Sequence, residues 1–267
     1  MKVSLIKHMF LCMLVAVQFC SCNEEDFEEK YGSGSPLAEN VMPLDGYIYE
    51  YNEQGLVTKI SSIDTKKDEN GKETTELVTI ATISYPRSDR AVLDYVAEMQ
   101  YSGGVHTIYT FAFGENHFAN RMIEQDSDGE SYLTKFSYDN DGHLTAIDAD
   151  EDHLKIEWTN GNMTKLQQDE YHAYAVLTYG SQTDFKRYGM SPFLLDVDLG
   201  PFMHYLDWWY DRGLTFALYL GFLGKPCQNL PATIVSYDDE NEIPQHGVFS
   251  YSYYDSIGLG TWGIEIQ

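Results

Sequence analysis

The chain has 267 residues and a formal net charge of −25, from 42 acidic and 17 basic side chains. A field of this sign repels phosphate at long range, so the composition disfavours nucleic acids and anionic membranes as partners. Tyrosine is abundant at 21 residues, and β-branched and aromatic residues dominate the periodic segments, which favours strands over helices.

The N-terminus has the features of a lipoprotein signal peptide. In "MKVSLIKHMFLCMLVAVQFCSC", Lys2 and Lys7 precede an uncharged run that is too short for a permanent transmembrane helix. The run ends in "FCSC", which resembles a bacterial lipobox, where signal peptidase cuts before a cysteine that carries a diacylglyceryl group. We therefore expect residues 1–21 to be a signal peptide and Cys22 to be lipidated. The alternative is an ordinary secretory signal with an incidental cysteine.

Residues 22–36 are expected to form an acidic flexible tether. "NEEDFEEKYGSGSP" is acidic and then rich in Gly, Ser and Pro, which is the composition of a solvated linker. An acidic cluster after an acylated cysteine also resembles the export signal of Bacteroidota surface lipoproteins. The predicted location is thus the outer membrane, lipid-anchored and at the cell surface, with the periplasmic face as the alternative. Loss of residues 1–21 removes two lysines and no acid, which changes the formal charge from −25 to −27.

Residues 37–267 are predicted to form a single β-rich domain built from a repeated hairpin. Each repeat has apolar or aromatic residues two apart, a short polar turn and a second alternating run, as in "YIYEYNEQGLVTKI", where Tyr47, Tyr49 and Tyr51 share one face. Gly142, Gly161 and Gly180 recur at the spacing of two strands plus two turns. The repeats are Tyr47–Ile60, Thr110–Met122, Lys135–Ile147, Lys155–Leu166 and Ala175–Phe185.

Further strands are predicted elsewhere in the domain. Asn70-Gly71 and Gly103-Gly104 indicate two more hairpins, and the alternation in Ala91–Tyr101 favours a strand over a short helix. The last segments, "LPATIVSYDDENE" and "GVFSYSYYDSIGLGTWGIEI", are also strand-like.

The stretch "YDNDG" could be a calcium loop or a turn. Asp139, Asn140, Asp141 and Gly142 occupy the position that Asn52–Gly55 and Thr159–Gly161 fill with different residues. Turn chemistry requires only a flexible, polar segment, so we interpret the stretch as a turn.

One region departs from the hairpin pattern. Around residues 192–224 the apolar residues have helical spacing, which predicts a short helical or irregular insertion packed on the sheet. Trp208, Trp209 and Tyr210 lie in this insertion and are candidate ligand-binding residues if they line a groove. His204, Asp207 and Asp211 could form a metal cluster, although a polar helix face is the favoured interpretation.

The lipobox, the aromatic hairpins with their turn glycines, and the apolar segment ending in "NLPATI" together resemble an uncharacterised family of Bacteroidota lipoproteins with a porin-like fold. The turn "YDNDGHLT" also resembles the tyrosine-aspartate repeats of large secreted bacterial proteins. This resemblance implies an all-β, antiparallel hairpin-repeat sheet that is strongly curved or barrel-like. It brings no established activity or catalytic residue.

No motif in the sequence identifies a catalytic site. "GLGTWG" matches a dinucleotide-binding pattern, but only four residues follow it, so no cofactor is predicted. Asp148, Asp150 and Asp152 are spaced like the start of an EF-hand loop, but His153 replaces its glycine, which favours a solvated acidic turn over a calcium site. Cys227 has no cysteine partner once the signal is removed and Cys22 is lipidated, so we interpret it as a packed, inert thiol.

Two classes of function are compatible with these features. A lipid-anchored surface binding or scaffold module is favoured, with a neutral glycan or a surface protein as its partner, because tyrosine and tryptophan rings suit sugar faces. A surface glycoside hydrolase, or another carboxylate-based hydrolase, is the alternative, since the 42 acidic residues permit many carboxylate pairs.

Overall fold

The computed structural model describes residues 47–67, 72–97, 105–149, 152–168, 172–188, 190–194, 212–238, 241–254 and 259–267. Within these ranges there are one 3-10 helix, Lys186–Tyr188, one α-helix, α1 (Arg212–Tyr219), and 14 strands. The strands are β1 (Tyr47–Tyr51), β2 (Val57–Lys67), β3 (Glu73–Arg87), β4 (Arg90–Ala97), β5 (Val105–Phe113), β6 (Ala119–Gln125), β7 (Ser131–Tyr138), β8 (Leu144–Ala149), β9 (Asp152–Thr159), β10 (Asn162–Gln168), β11 (Ala173–Tyr179), β12 (Pro231–Asp238), β13 (Asn241–Tyr254) and β14 (Leu259–Ile266). Neither helix of the described part is long and apolar enough to cross a membrane.

All the described strands belong to one antiparallel sheet. Each strand pairs with the next one in sequence, so the order across the sheet is the order in the chain. β1 and β14 form the two edges, and the described pairing does not close the sheet by joining them. The predicted all-β, antiparallel hairpin fold is therefore confirmed, as an open sheet.

Two kinds of turn connect the two strands of a hairpin. In the first, the opening residue donates its N–H to the carbonyl of the fifth residue, as from Asn52 to Leu56 at 2.9 Å and from Asp139 to His143 at 3.0 Å. The fourth residue of this turn needs positive φ, which Gly142 supplies at 89°. "YDNDG" is thus the same turn as "NEQG", as predicted. The turn at Thr159–Gly161 is of the second kind, because Asn160 and Gly161 form a two-residue turn in which both φ angles are positive, 51° and 70°.

One face of the sheet carries the core, and we call it the inner face. Alternation along each strand directs apolar side chains to this face. Leu93 on β4, Phe111 on β5 and Met122 on β6 are fully buried there. The same core contains residues of the connection between β11 and β12, so the chain covers its own sheet.

The predicted hairpin Ala175–Phe185 is wrong. β11 ends at Tyr179, and the next strand begins only at Pro231, although the two strands pair directly. Gly180 does not turn the chain back into the sheet, because its N–H donates to the carbonyl of Leu230 at 3.1 Å. The insertion between β11 and β12 therefore spans residues 180–230 and is longer than the predicted 192–224.

The end of this insertion runs along the turns that follow the odd-numbered strands, which we call the near rim. We name Phe222–Leu230 the strap. Phe222 accepts the N–H of Ala119 at 2.8 Å, Lys225 donates to Gly142 at 2.9 Å, and Gln228 donates to Gly161 at 3.0 Å, all through main-chain atoms. Three extended residues span about 10 Å, which equals two strand spacings, so the strap contacts successive hairpins.

Candidate functional site

Several predicted site residues lie outside the described part of the chain. These are Cys22, the ligand candidates Trp208, Trp209 and Tyr210, the cluster of His204, Asp207 and Asp211, and Asp150. Asp148 lies near the end of β8 and β9 begins at Asp152, so the acidic stretch joins two strands. The carboxylate of Asp148 contacts Nδ1 of His153 at 2.9 Å.

The turn between β7 and β8 brings two carboxylates and an imidazole together. The ligand atoms of Asp139, Asp141 and His143 lie within 4.8 Å of one another. Oδ1 of Asp139 accepts the backbone N–H groups of Asp141 and His143 at 2.9 and 2.8 Å, and its Oδ2 lies 3.0 Å from Nδ1 of His143. The amide of Asn52 makes the equivalent two bonds in the first hairpin, so the turn does not depend on a carboxylate.

His143 is a structural part of this turn. It is 8% exposed, and its ring stacks on Trp158 with centroids 4.5 Å apart. Partial burial disfavours the ionised carboxylate of Asp139, but bonds from the backbone and ring of His143 outweigh that effect and lower the pKa of this carboxyl. These contacts support the interpretation of the stretch as a turn.

Many of the chain's aromatic rings are committed to the fold. Near the end of five odd-numbered strands, a ring donates a hydrogen bond to a carbonyl at the start of the preceding strand. Burial raises the pKa of Tyr85, Tyr138 and Tyr179 above the usual tyrosine value, so these hydroxyls stay protonated. The donor and acceptor pairs are Tyr85 to Val57, Tyr138 to Ala119, Trp158 to Leu144, Tyr179 to Met163 and Tyr251 to Pro231.

A different set of rings lies along the edge strand β1. Tyr47 and Tyr49 are half-buried against the margin of the core, and Tyr51 is 47% exposed. The rings of Tyr49 and Tyr51 stack with centroids 6.4 Å apart and planes 27° apart. Ser62 lies directly opposite Tyr47 and places a hydroxyl beside the row. We call Tyr47, Tyr49 and Tyr51 the tyrosine row.

The tyrosine row was visible in the sequence only as an alternation. The pattern of "YIYEY" places three rings on one face, but it does not show that β1 is a sheet edge. That property follows from the pairing of all the described strands, in which β1 has β2 as its only neighbour.

Cys227 is packed as predicted. Its sulfur accepts the N–H of Met163 at 3.5 Å and lies 3.8 Å from the hydroxyl of Tyr179. Burial raises the pKa of this thiol to about 11, so it remains a neutral thiol at physiological pH.

The open antiparallel sheet, covered on one face by its own insertion, defines an all-β protein of porin-like architecture. The chain belongs to the family described as a domain of unknown function (DUF4595) with porin-like fold, which matches residues 49–256. No curated protein matches the chain.

Two solved structures are similar to it. A porin-like protein from Bacteroides uniformis has 16% identity and a TM-score of 0.52, over 85% of this chain and 93% of that chain. Another, from Bacteroides vulgatus, has 13% identity and a TM-score of 0.40, over 83% of this chain and 97% of that chain. At such identity the first likeness concerns the fold alone.

Proposed function

We propose that the protein is a lipid-anchored binding module of the outer membrane surface, and that its tyrosine row binds a neutral glycan. The observation that carries this proposal is the stacked, partly exposed row Tyr47, Tyr49 and Tyr51 on an edge strand of the described sheet. Aromatic faces stack on the apolar faces of sugar rings, and tyrosine and serine hydroxyls bond their polar rims.

The position of the row fits a tethered module. β1 is the first described strand, and ten residues, 37–46, lie between it and the acidic and Gly/Ser-rich segment that follows Cys22. Acylation at Cys22 would therefore hold the row at the membrane surface. The negative charge of the chain repels acidic polymers at long range and has no such effect on neutral glycans.

Titration of the purified protein with neutral glucans and mannans tests the proposal. We expect saturable binding in the micromolar range, weakened about fivefold or more in Tyr51→Ala. Tyr132→Ala is the matched control, because this tyrosine is 42% exposed but lies on β7. An equal loss of glycan affinity in both variants would contradict the assignment of the tyrosine row as the binding site. Release of sugar products, abolished by one carboxylate substitution, would move the protein to the hydrolase class.

A further inference from the structure

The outer face of strands β4 to β7 carries a row of basic side chains. Arg90, Ala112, Arg121 and Lys135 lie directly opposite one another across the four strands, so their side chains share one face. Their sequence neighbours Ala91, Phe111 and Met122 are fully buried on the inner face, which places the row outside. We call Arg90, Arg121 and Lys135 the cationic row.

Among the described residues, no side chain of the cationic row is in an ion pair, although Asp148 on β8 lies directly opposite Lys135. Nε of Arg90 is buried without a hydrogen-bond partner. Arg121 and Lys135 are like charges placed directly opposite, an arrangement that destabilises a sheet unless an anion joins them. Each acid that borders the row has a contact of its own: Asp89 forms an ion pair with Arg87 at 2.7 Å, and the carboxylates of Asp94 and Asp148 contact the imidazoles of His106 at 2.7 Å and His153 at 2.9 Å.

An apolar row lies beside the cationic row on the same face. Val92, Thr110, Ile123 and Leu133 are again opposite one another, two residues along each strand from the basic row. Ile123 and Leu133 are 39% and 41% exposed. The two rows together, which we call the outer patch, combine cations with exposed hydrocarbon.

We infer that the outer patch docks the domain onto an anionic lipid surface. Phosphate-bearing headgroups offer anions to the cationic row, and the adjacent acyl region accepts the side chains of the apolar row. A soluble polyanion would satisfy the cations and leave Ile123 and Leu133 in water.

The negative charge of the whole chain does not prevent this docking, which rests on the lipid anchor proposed above. Residues 22–46 span at most roughly 80 to 90 Å, so an anchor at Cys22 keeps the sheet within reach of the bilayer without long-range attraction. Asp148 is the acid next to Lys135, directly opposite it on β8, and its carboxylate contacts His153. The acidic turn residues Asp126, Asp128 and Glu130 lie farther away, at the far end of β6 and β7. Glu130 lies five residues from Lys135 in sequence, about 16 Å along an extended strand, which exceeds the Debye length of about 8 Å at physiological salt.

The test uses the acylated full chain in vesicles of phosphatidylcholine, with and without phosphatidylglycerol. An environment-sensitive fluorophore is attached to the cysteine of Leu133→Cys. The same label on Val176→Cys is the matched control, because Val176 is 37% exposed and lies on β11, away from the patch. Cys227 is buried and stays unlabelled. We expect the label at position 133, and not at 176, to enter an apolar environment only on anionic vesicles, and to leave it in high salt.

Charge variants distinguish an effect of the outer patch on docking from an effect of the net charge of the chain. Arg121→Gln with Lys135→Gln should lower the docking equilibrium about thirtyfold, the effect of losing two cations near an anionic surface. Lys66→Gln with Lys67→Gln removes the same charge from a hairpin where both lysines contact acids, and should leave docking unchanged.

Four results would overturn the inference. Equal loss of docking in both double variants would assign the effect to net charge. Flotation with both kinds of vesicle, without a signal specific to position 133, would reject the patch while leaving the anchor intact. Failure to float on either kind would reject the anchor and the docking that rests on it. Binding to soluble polygalacturonate alone, lost with Arg121→Gln and Lys135→Gln, would assign the patch to an acidic polysaccharide.

Discussion

Gly224→Ala should destabilise the protein by detaching the strap from the near rim. Gly224 has a φ of +93°, and a Cβ there would lie 2.7 Å from the carbonyl oxygen of Gly142 and 3.1 Å from Cε1 of Tyr138. Positive φ costs an alanine about 1–2 kcal/mol. The collision also displaces the carbonyl that accepts the N–H of Lys225, whose loss adds about 1 kcal/mol or more.

The expected total is a loss of about 2–4 kcal/mol in the free energy of unfolding, or a fall of about 5–12 °C in Tm for a domain of this size. Gly129→Ala is the matched control, because its φ is +90° and nothing lies within 4 Å of the added Cβ. The control should lose only the conformational part, about 1–2 kcal/mol. Thermal and urea unfolding measure both variants. Equal losses would refute the strap contact as the cause.

The remaining predictions concern the core, the turn and the anchor. Phe222 is fully buried against Phe111 and Phe113, so Phe222→Ala should lower the free energy of unfolding in urea by about 3–5 kcal/mol. A decrease below about 1 kcal/mol would show that the strap does not pack there. Because the pKa of Asp139 is lowered in the folded protein, the ionised carboxylate stabilises the fold above the ordinary carboxyl pKa near 4. This stability is lost as the pH falls through the pKa of Asp139 in the folded state, so Asp139→Asn should reduce the acid dependence of Tm. A calcium-dependent rise in Tm that this variant abolishes would contradict the turn. Cys22→Ala should yield an unacylated protein that leaves the membrane without detergent, and a mutant that still carries lipid would reject the anchor.

The hairpins could be predicted because their signals are local. Alternation fixes the face of each strand, and Asn52 and Asp139 serve the same turn since an amide and a carboxylate accept the same two N–H groups. The end of β11 could not be predicted in this way. Gly180 looks like a turn glycine, but its partner is Leu230, fifty residues later, and that contact exists only in the folded chain.

The candidate site was less accessible to sequence analysis than the fold. Tyr47, Tyr49 and Tyr51 alternate as many core residues do, and only the strand order shows that they lie at an edge. The cationic row was also hidden, because Arg90, Arg121 and Lys135 come from three hairpin segments and meet through the register of the sheet. A net charge of −25 gives no indication of such a local cluster.

Hydrogen-deuterium exchange of the full chain, with and without a saturating neutral glycan, tests the glycan-binding proposal most directly. β1 is an edge strand of the described sheet, so its amides should exchange more readily in the unliganded protein than those of the central strands. Bound glycan should slow exchange in peptides that cover Tyr47–Tyr51, with little change in β6 and β7, and Tyr51→Ala should remove the protection. Protection confined to other strands, or absent while binding persists, would contradict the assignment of the tyrosine row as the binding site.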